Sequence, residues 1–113
     1  MRTAVCLALA AALVGCATYS ERLAQEPWVS FDSAKDERAI SGCAAPQLRE
    51  MFPSLIALPD GDSTVYSASA GVQQISLLAI TLTPSEMGTR VQMRSFAETG
   101  NFRRAAEILR ACG

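Results

Sequence analysis

The sequence predicts an α+β fold. In this fold an antiparallel sheet of three or four strands carries an N-terminal and a C-terminal helix on one face, in the order α-β-β-β(-β)-α. Two observations predict it. Apolar residues recur at helical spacing in residues 33–52 and again in residues 102–112. Between them lie short apolar runs separated by turn sequences, which are typical of antiparallel strands.

The first predicted helix spans residues 33–52. Asp32 or Ser33 is expected to be its N-cap, because a short oxygen-bearing side chain accepts a hydrogen bond from the first turn. Acidic residues at positions 36 and 37 follow, where the helix dipole favours negative charge. The apolar residues share one face, so Cys43 is expected to point into the core. The members of this face are Ile40, Cys43, Ala44, Leu48, Met51 and Phe52.

Two prolines bear on the shape of this helix. Pro46 has no backbone N–H and crowds the carbonyl of Gly42, so the helix is predicted to kink or to restart there. Pro53 is predicted to end the helix, and the strands begin after it.

Residues 53–96 are predicted to form the sheet. Asp60-Gly61 lies between two apolar runs and indicates a first hairpin. A later turn is predicted from Pro84 to Gly88. Pro84 suits an early turn position there, and Gly88 suits the left-handed residue at its end.

The last strand of this sheet alternates between apolar and polar residues. Val91 and Met93 point one way, and Arg90, Gln92 and Arg94 point the other. A polar stripe of this kind usually faces solvent, whereas two arginines on one face are also suited to an anionic partner. Both interpretations stay open at this point.

The strand ISLLAITL, residues 75–82, is apolar on both faces. One face has Ile75, Leu77 and Ala79, and the other has Leu78, Ile80 and Leu82. A sheet covered on one side only should alternate, so this strand is predicted to be central with its second face also covered. Either the N-terminal segment with Trp28 and Phe31 folds back, or the sheet curls on itself, or the face is an exposed apolar surface for a partner. The candidate partner surface consists of Leu78, Ile80, Leu82, Arg90 and Arg94.

The C-terminal helix is predicted over residues 102–112, with Asn101 or Thr99 as its cap. Arg103 and Glu107 stand four residues apart and are suited to an ion pair. The apolar face consists of Phe102, Ala105, Ala106, Leu109 and Cys112.

The first residues have the pattern of a secretory signal peptide. Arg2 supplies the positive charge, residues 4–14 form the apolar run, and Gly15 is the small residue before Cys16. The run is too short for a membrane span, which needs about 20 apolar residues. The alternative to a specialised signal is an ordinary signal peptide with a chance cysteine at its border.

Within this segment Leu13-Val14-Gly15-Cys16 resembles the lipobox of bacterial lipoproteins. The resemblance implies that the Cys16 thiol receives a diacylglyceryl group, that a signal peptidase cuts between Gly15 and Cys16, and that the new amine is acylated. Ala17, in place of an aspartate that would favour inner-membrane retention, implies the outer membrane. The expected orientation faces the periplasm, with the inner membrane and the cell surface as alternatives. The expected organisation is a signal peptide at 1–15, a lipid-anchored tether at 16–32 and a small domain at 33–113.

Cys6 leaves with the signal peptide and Cys16 takes the lipid, so Cys43 and Cys112 remain as a pair in an oxidising compartment, where disulfides persist. A bond between them closes a loop of 70 residues, 43 through 112. The loop-entropy argument gives about 4.4 kcal/mol as an upper estimate of the stabilisation. Free thiols and intermolecular pairing are the alternatives.

Composition excludes several functions. The chain has no histidine, the commonest general base and metal ligand, and no serine has a recognisable base, so no catalytic residue, metal site or cofactor is predicted beyond the lipid on Cys16. After cleavage 9 basic residues stand against 11 acidic ones, with no basic cluster for nucleic acid. The element order resembles small uncharacterised Gram-negative envelope lipoproteins. The prediction is a non-enzymatic accessory module that binds a protein partner in the periplasm. A binder of a small apolar or envelope-derived ligand, held between sheet and tether, is the alternative.

Overall fold

The computed structural model describes residues 17–113, so Gly15, Cys16 and the predicted signal peptide lie outside the described part of the chain. The fold class is confirmed: an antiparallel sheet has helices before and after it in an α+β arrangement. The sheet has five strands rather than three or four. In chain order the elements are α1 (Tyr19–Leu23), β1 (Val29–Ser33), α2 (Glu37–Met51), β2 (Ile56–Asp60), β3 (Ser63–Ala70), β4 (Ile75–Ser85), β5 (Gly88–Ser95) and α3 (Asn101–Cys112).

The strand order is β1-β5-β4-β3-β2, with every neighbouring pair antiparallel. β4 is therefore the central strand, as its apolar sequence predicted. The first hairpin is also confirmed: Asp60 pairs with Ser63, and the turn between them contains Gly61 at φ +64°. A positive φ is a conformation that glycine adopts without strain.

The second hairpin differs from the prediction in one respect. Pro84 lies inside β4, opposite Thr89, and Glu86 and Met87 alone form the turn. Pairing of β4 with β3 starts only at Leu82, so the missing N–H of Pro84 leaves no bond to β3 unmade. Gly88 has a positive φ, as predicted, and a Cβ there would collide with the Ser33 carbonyl of β1.

The N-terminal boundary of α2 was predicted too early. The N-cap is Asp36, whose carboxylate accepts from the Ala39 N–H at 2.8 Å, and neither Asp32 nor Ser33 is the cap. Both of these belong to β1, which uses their backbone for sheet pairing. α2 then runs through Pro46 as one helix without a restart, and it ends before Pro53 as predicted.

The two main helices are joined by the Cys43–Cys112 disulfide, which confirms the predicted pairing. Cys112 is buried in the core, but Cys43 lies on the exposed edge of α2 rather than facing inward. The core itself lies between the helices and one face of the sheet. Its members are Val29, Ile40, Ala44, Leu48, Phe52, Leu55, Ala68, Leu78, Ile80, Leu82, Val91, Met93, Ala105, Ala106, Ile108, Leu109 and Cys112.

Two further expectations about α3 need correction. Its N-cap is Gly100, without any side-chain cap hydrogen bond, so neither Asn101 nor Thr99 caps the helix through its side chain. Glu107 pairs with Arg104 at 3.8 Å rather than with Arg103, and both partners are exposed.

The segment predicted as a tether contains ordered structure. α1 begins at Tyr19, and β1 pairs along its whole length with β5, from Val29 opposite Met93 to Ser33 opposite Thr89. β1 was missed because five residues with one central aromatic give only a short alternation.

Candidate functional site

The apolar half of the predicted partner surface lies in the core. Leu78, Ile80 and Leu82 have at most 1 % of their surface exposed. They point to the side of the sheet that α2 and α3 cover, so the prediction of an exposed apolar stripe was wrong. The physical reason is that the central strand uses this face as the floor of the core.

The charged half of that surface lies on the opposite side of the sheet. Arg90 pairs across the strands with Asp32, with Nε and Oδ1 3.1 Å apart and both side chains more than half exposed. Arg94 donates from Nε to the backbone carbonyl of Gln25. Both arginines thus already have partners within the chain, and the fold does not bring them together with the three apolar residues.

The second face of the sheet is nevertheless buried at its centre. Val65 and Ala79 have no exposed surface, and Thr81 retains 9 %. Trp28 and Phe31 do not cover this face, because both pack against the core between helices and sheet. The expectation that these aromatics fold back over the second face was therefore wrong.

Leu77 also departs from the predicted alternation. The pairing of β3 with β4 passes from Leu78 directly to Ser76, so Leu77 is the extra residue of a β-bulge. The bulge places Leu77 against the core rather than on the second face.

An open groove of about 450 Å³ runs beside α2. One wall is the helix face whose members recur every three or four residues, and the other wall is Tyr66 of β3. The groove exists because α2 packs over β4, which leaves the helix-facing side of the β2 edge uncovered. The α2 residues that line it are Glu37, Arg38, Ser41, Gly42, Ala45, Pro46 and Arg49.

The charge of this groove is carried by two arginines. Arg38 and Arg49 are exposed, and neither guanidinium group forms an ion pair or a hydrogen bond with another residue in 17–113. Glu37 is occupied, since its Oε2 accepts from the Thr64 hydroxyl at 2.9 Å. The groove therefore has two positive charges without an ion-pair partner in the described chain and one negative charge, which already accepts a hydrogen bond.

The backbone and one hydroxyl add polar groups to the same groove. Pro46 has no N–H, so the Gly42 carbonyl lacks its helical donor. The Ser41 hydroxyl is buried and has no hydrogen-bond partner within the described residues. A buried hydroxyl without a partner costs about 1–3 kcal/mol, so the groove has unmet hydrogen-bonding capacity beside its two guanidinium groups.

A second feature is the docking of the N-terminal segment at one end of the sheet. Arg22 is only 3 % exposed and donates from Nη2 to the Ser76 carbonyl at 2.5 Å. The Ser95 carbonyl accepts from Gln25 Nε2 at 3.2 Å and from Arg22 Nη1 at 3.5 Å. Trp28 donates from its indole to the Ser95 hydroxyl at 2.7 Å. These bonds satisfy carbonyls at a point where β5 has ended and β4 has no paired strand on its β5 side.

Burial shifts the pKa values of two side chains in this segment. It lowers the pKa of Arg22, because the charged guanidinium loses water. It also raises the pKa of the Tyr19 phenol, an effect to which the negative charge of Asp60 adds. Tyr19 is therefore uncharged at neutral pH.

The structure gives the small-apolar-ligand alternative no support at either cavity. The enclosed cavity between α2 and the sheet has a volume of about 10 Å³, roughly that of one water molecule. The larger groove is open, is rimmed by charged side chains and lies away from the N-terminal segment that was expected to close a ligand site.

Comparison with known proteins adds no assignment. No family model matches the chain, and neither the curated proteins nor the solved structures contain a match. In residues 17–113 no group of three or more histidine, cysteine, aspartate or glutamate side chains is placed to hold a metal ion. None of the helices described is long and apolar enough to cross a membrane.

Sequence reasoning missed both the groove and the docked segment. The capping box Thr18-Tyr19-Ser20-Glu21 was a usable indication of α1, because a threonine followed three residues later by glutamate marks a helix start. The groove had no comparable indication, since it depends on which strands α2 leaves uncovered.

Proposed function

We propose that this chain is an envelope lipoprotein held by a lipid on Cys16, and that its domain is a non-enzymatic module that binds a protein partner in the periplasm. One observation carries the proposal. The Leu13-Val14-Gly15-Cys16 motif stands directly before Ala17, whose carbonyl accepts a hydrogen bond from the Ser76 N–H of the sheet. Cleavage before Cys16 therefore leaves this contact and the rest of residues 17–113 intact.

The disulfide supports an envelope location. Cys43 and Cys112 are bonded, and no cysteine in residues 17–113 is free. Disulfides persist in oxidising compartments such as the periplasm and are rare in the reducing cytosol. The pairing therefore fits a chain that is exported by its N-terminal signal.

The groove beside α2 is the partner surface that we propose in place of the one predicted from the sequence. Arg38 and Arg49 line the same groove as Gly42, whose carbonyl lacks its helical donor because of Pro46, and guanidinium groups bind carboxylates through paired charge-assisted hydrogen bonds. The occupant that fits this charge is an acidic segment of a partner protein. Tyr66 forms the opposite wall and offers an aromatic face and a hydroxyl.

The anchor is tested by mass spectrometry of the protein purified from bacterial membranes. The expected mature chain begins at Cys16 and carries the added mass of a diacylglyceryl group and an acyl chain. Cys16→Ser should abolish that mass and release the protein from the membrane fraction. A wild-type chain that begins elsewhere, or that carries no lipid, contradicts the proposal.

The partner surface is tested by photo-crosslinking in cells. Gly42 is the position for the crosslinking residue, because it is exposed and a side chain added there meets no other atom. We expect an adduct whose partner peptide is acidic, and its loss when Arg38→Glu is combined with Arg49→Glu. The matched control reverses the charge of Arg103 and Arg110, which are exposed on α3 outside the groove.

The controls decide how the crosslinking result is interpreted. An adduct that survives the groove double variant, or that is lost equally in the α3 control, contradicts binding through the groove. Absence of any adduct from position 42 contradicts it as well.

A further inference from the structure

The first described residues are fixed to the fold without a spacer. The Ser76 N–H donates to the Ala17 carbonyl at 3.0 Å, at the end of β4. The Thr18 side chain caps α1, and the Thr18 N–H donates to Oε1 of Glu21 at 2.9 Å. The residue directly after Cys16 is therefore already bonded to the sheet.

This arrangement limits how far the domain stands from a lipid on Cys16. Consecutive Cα atoms are about 3.8 Å apart, so Cys16 lies within one peptide unit of a residue bonded to the sheet. A lipid there brings the Ser76 end of the sheet to the bilayer surface. The inference that follows rests on the lipid attachment proposed above.

The same end of the sheet has a loop suited to a lipid surface. Residues 71–74 join β3 to β4, and their sequence Gly-Val-Gln-Gln has no charge. Val72 is 100 % exposed, and the loop around it is held by the Gln74 N–H bond to the Gly71 carbonyl at 3.2 Å. Val72 is four residues from Ser76, so their Cα atoms are at most about 14 Å apart.

The opposite end of the sheet offers a natural comparison. Met87 is 80 % exposed at the tip of the turn between β4 and β5. Ser85, next to that turn, lies nine positions after Ser76 along β4, which at about 3.3 Å per residue is roughly 30 Å. Exposed single apolar residues are common, so the position of Val72 beside the anchor, and not its exposure alone, carries the argument.

We propose that the end of the sheet formed by residues 17 and 18 and the loop 71–74 is a membrane-contacting surface, with Val72 in the headgroup region of the bilayer. The lipid is then attached directly beside this surface and not at the end of a flexible linker. The two contacts together fix the direction in which the sheet points away from the membrane, and they leave Met87 in water.

The test uses the full lipidated protein in vesicles of phosphatidylethanolamine and phosphatidylglycerol. A fraction of these lipids carries bromine on the acyl chains, where it quenches tryptophan fluorescence. Val72→Trp and Met87→Trp are compared after subtraction of the wild-type emission of Trp28. We expect the added emission of Val72→Trp to shift to the blue and to be quenched by the brominated lipid. We expect the added emission of Met87→Trp to be unaffected. Gln73→Trp repeats the test on the same loop if Val72→Trp does not fold.

The inference is overturned if the added tryptophan emission is quenched at neither position 72 nor position 87, or if it is quenched equally at both. Flotation with the vesicles and the mass of the protein report the anchor separately. A protein that carries the lipid and floats, but whose loop is not quenched, refutes only the contact surface. A protein without lipid refutes the proposed function on which this inference rests.

Discussion

The N-terminal segment of this molecule and its C-terminal half, which includes α2 and α3, are held in place by different interactions. The C-terminal half packs α2 and α3 on one face of the sheet through apolar side chains and joins them by a disulfide. The N-terminal segment, residues 17–28, is attached through hydrogen bonds to the carbonyls of Ser76 and Ser95 and to the Ser76 N–H. Apolar packing repeats with the period of a helix or strand, whereas these polar contacts follow no period. The packing of the C-terminal half can therefore be predicted from the sequence, whereas the docking of the N-terminal segment cannot.

The largest effect is expected from the apolar centre of the C-terminal half. Leu78 is fully buried, so Leu78→Ala should lower the free energy of unfolding by about 2–5 kcal/mol through lost burial and a new cavity. Urea unfolding followed by circular dichroism measures this. The control is Val72→Ala, which changes a fully exposed residue and should stay within about 0.5 kcal/mol. A small change in the free energy of unfolding for Leu78→Ala would contradict the burial of Leu78 in the core.

The disulfide should contribute the next largest effect. Cys43→Ala should lower the free energy of unfolding by about 2–4 kcal/mol under oxidising conditions, because the loop it closes restricts the unfolded chain. Thermal unfolding measures the change. Wild-type protein with its disulfide reduced should become about as unstable as the variant, and an unchanged wild type would show that the bond does not stabilise the fold.

The same contrast explains what the sequence could and could not predict. The two-sided apolar run of β4 correctly indicated a central strand, and helical spacing placed Cys112 in the core. Yet the pattern could not tell which face of β4 the helices cover, and so Leu78 was assigned to a partner surface. Burial on both faces gives the same sequence whichever side forms the main core.

The groove and the docked segment were beyond the sequence for a different reason. Arg38 and Arg49, eleven residues apart, are polar residues like those of any solvated helix face, and only the position of α2 over the sheet gives them a facing wall. Arg22 resembled part of a polar linker, although its side chain is buried against carbonyls more than 50 residues away. Contacts of this kind are decided by tertiary geometry.

A smaller effect is expected from Arg22, and it should be local. Arg22→Met keeps the side chain long but removes the donors to the Ser76 and Ser95 carbonyls, a loss of about 1.5–3 kcal/mol for hydrogen bonds to a charged group. Hydrogen exchange should accelerate at the Ser76 amide, which is bonded to Ala17, and remain slow at Ile80 in the core. Arg38→Met is the matched control, since that arginine is exposed and unpaired within residues 17–113. Equal acceleration at both amides would mean that the segment and the core unfold as one unit.

The smallest effect is expected where β1, which directly follows the N-terminal segment, meets β5. Asp32 and Arg90 face each other in the register of these strands, but both side chains are more than half exposed. Water and salt screen such a pair, so a double-mutant cycle of Asp32→Ala and Arg90→Ala should give a coupling of about 0.2–1 kcal/mol. The coupling should decrease as salt is added, because the Debye length shortens to about 3 Å at 1 M salt. A coupling that is large, or that resists salt, would place this pair in a less polar setting than its exposure indicates and would make β1 a strand held by charge as well as by backbone pairing.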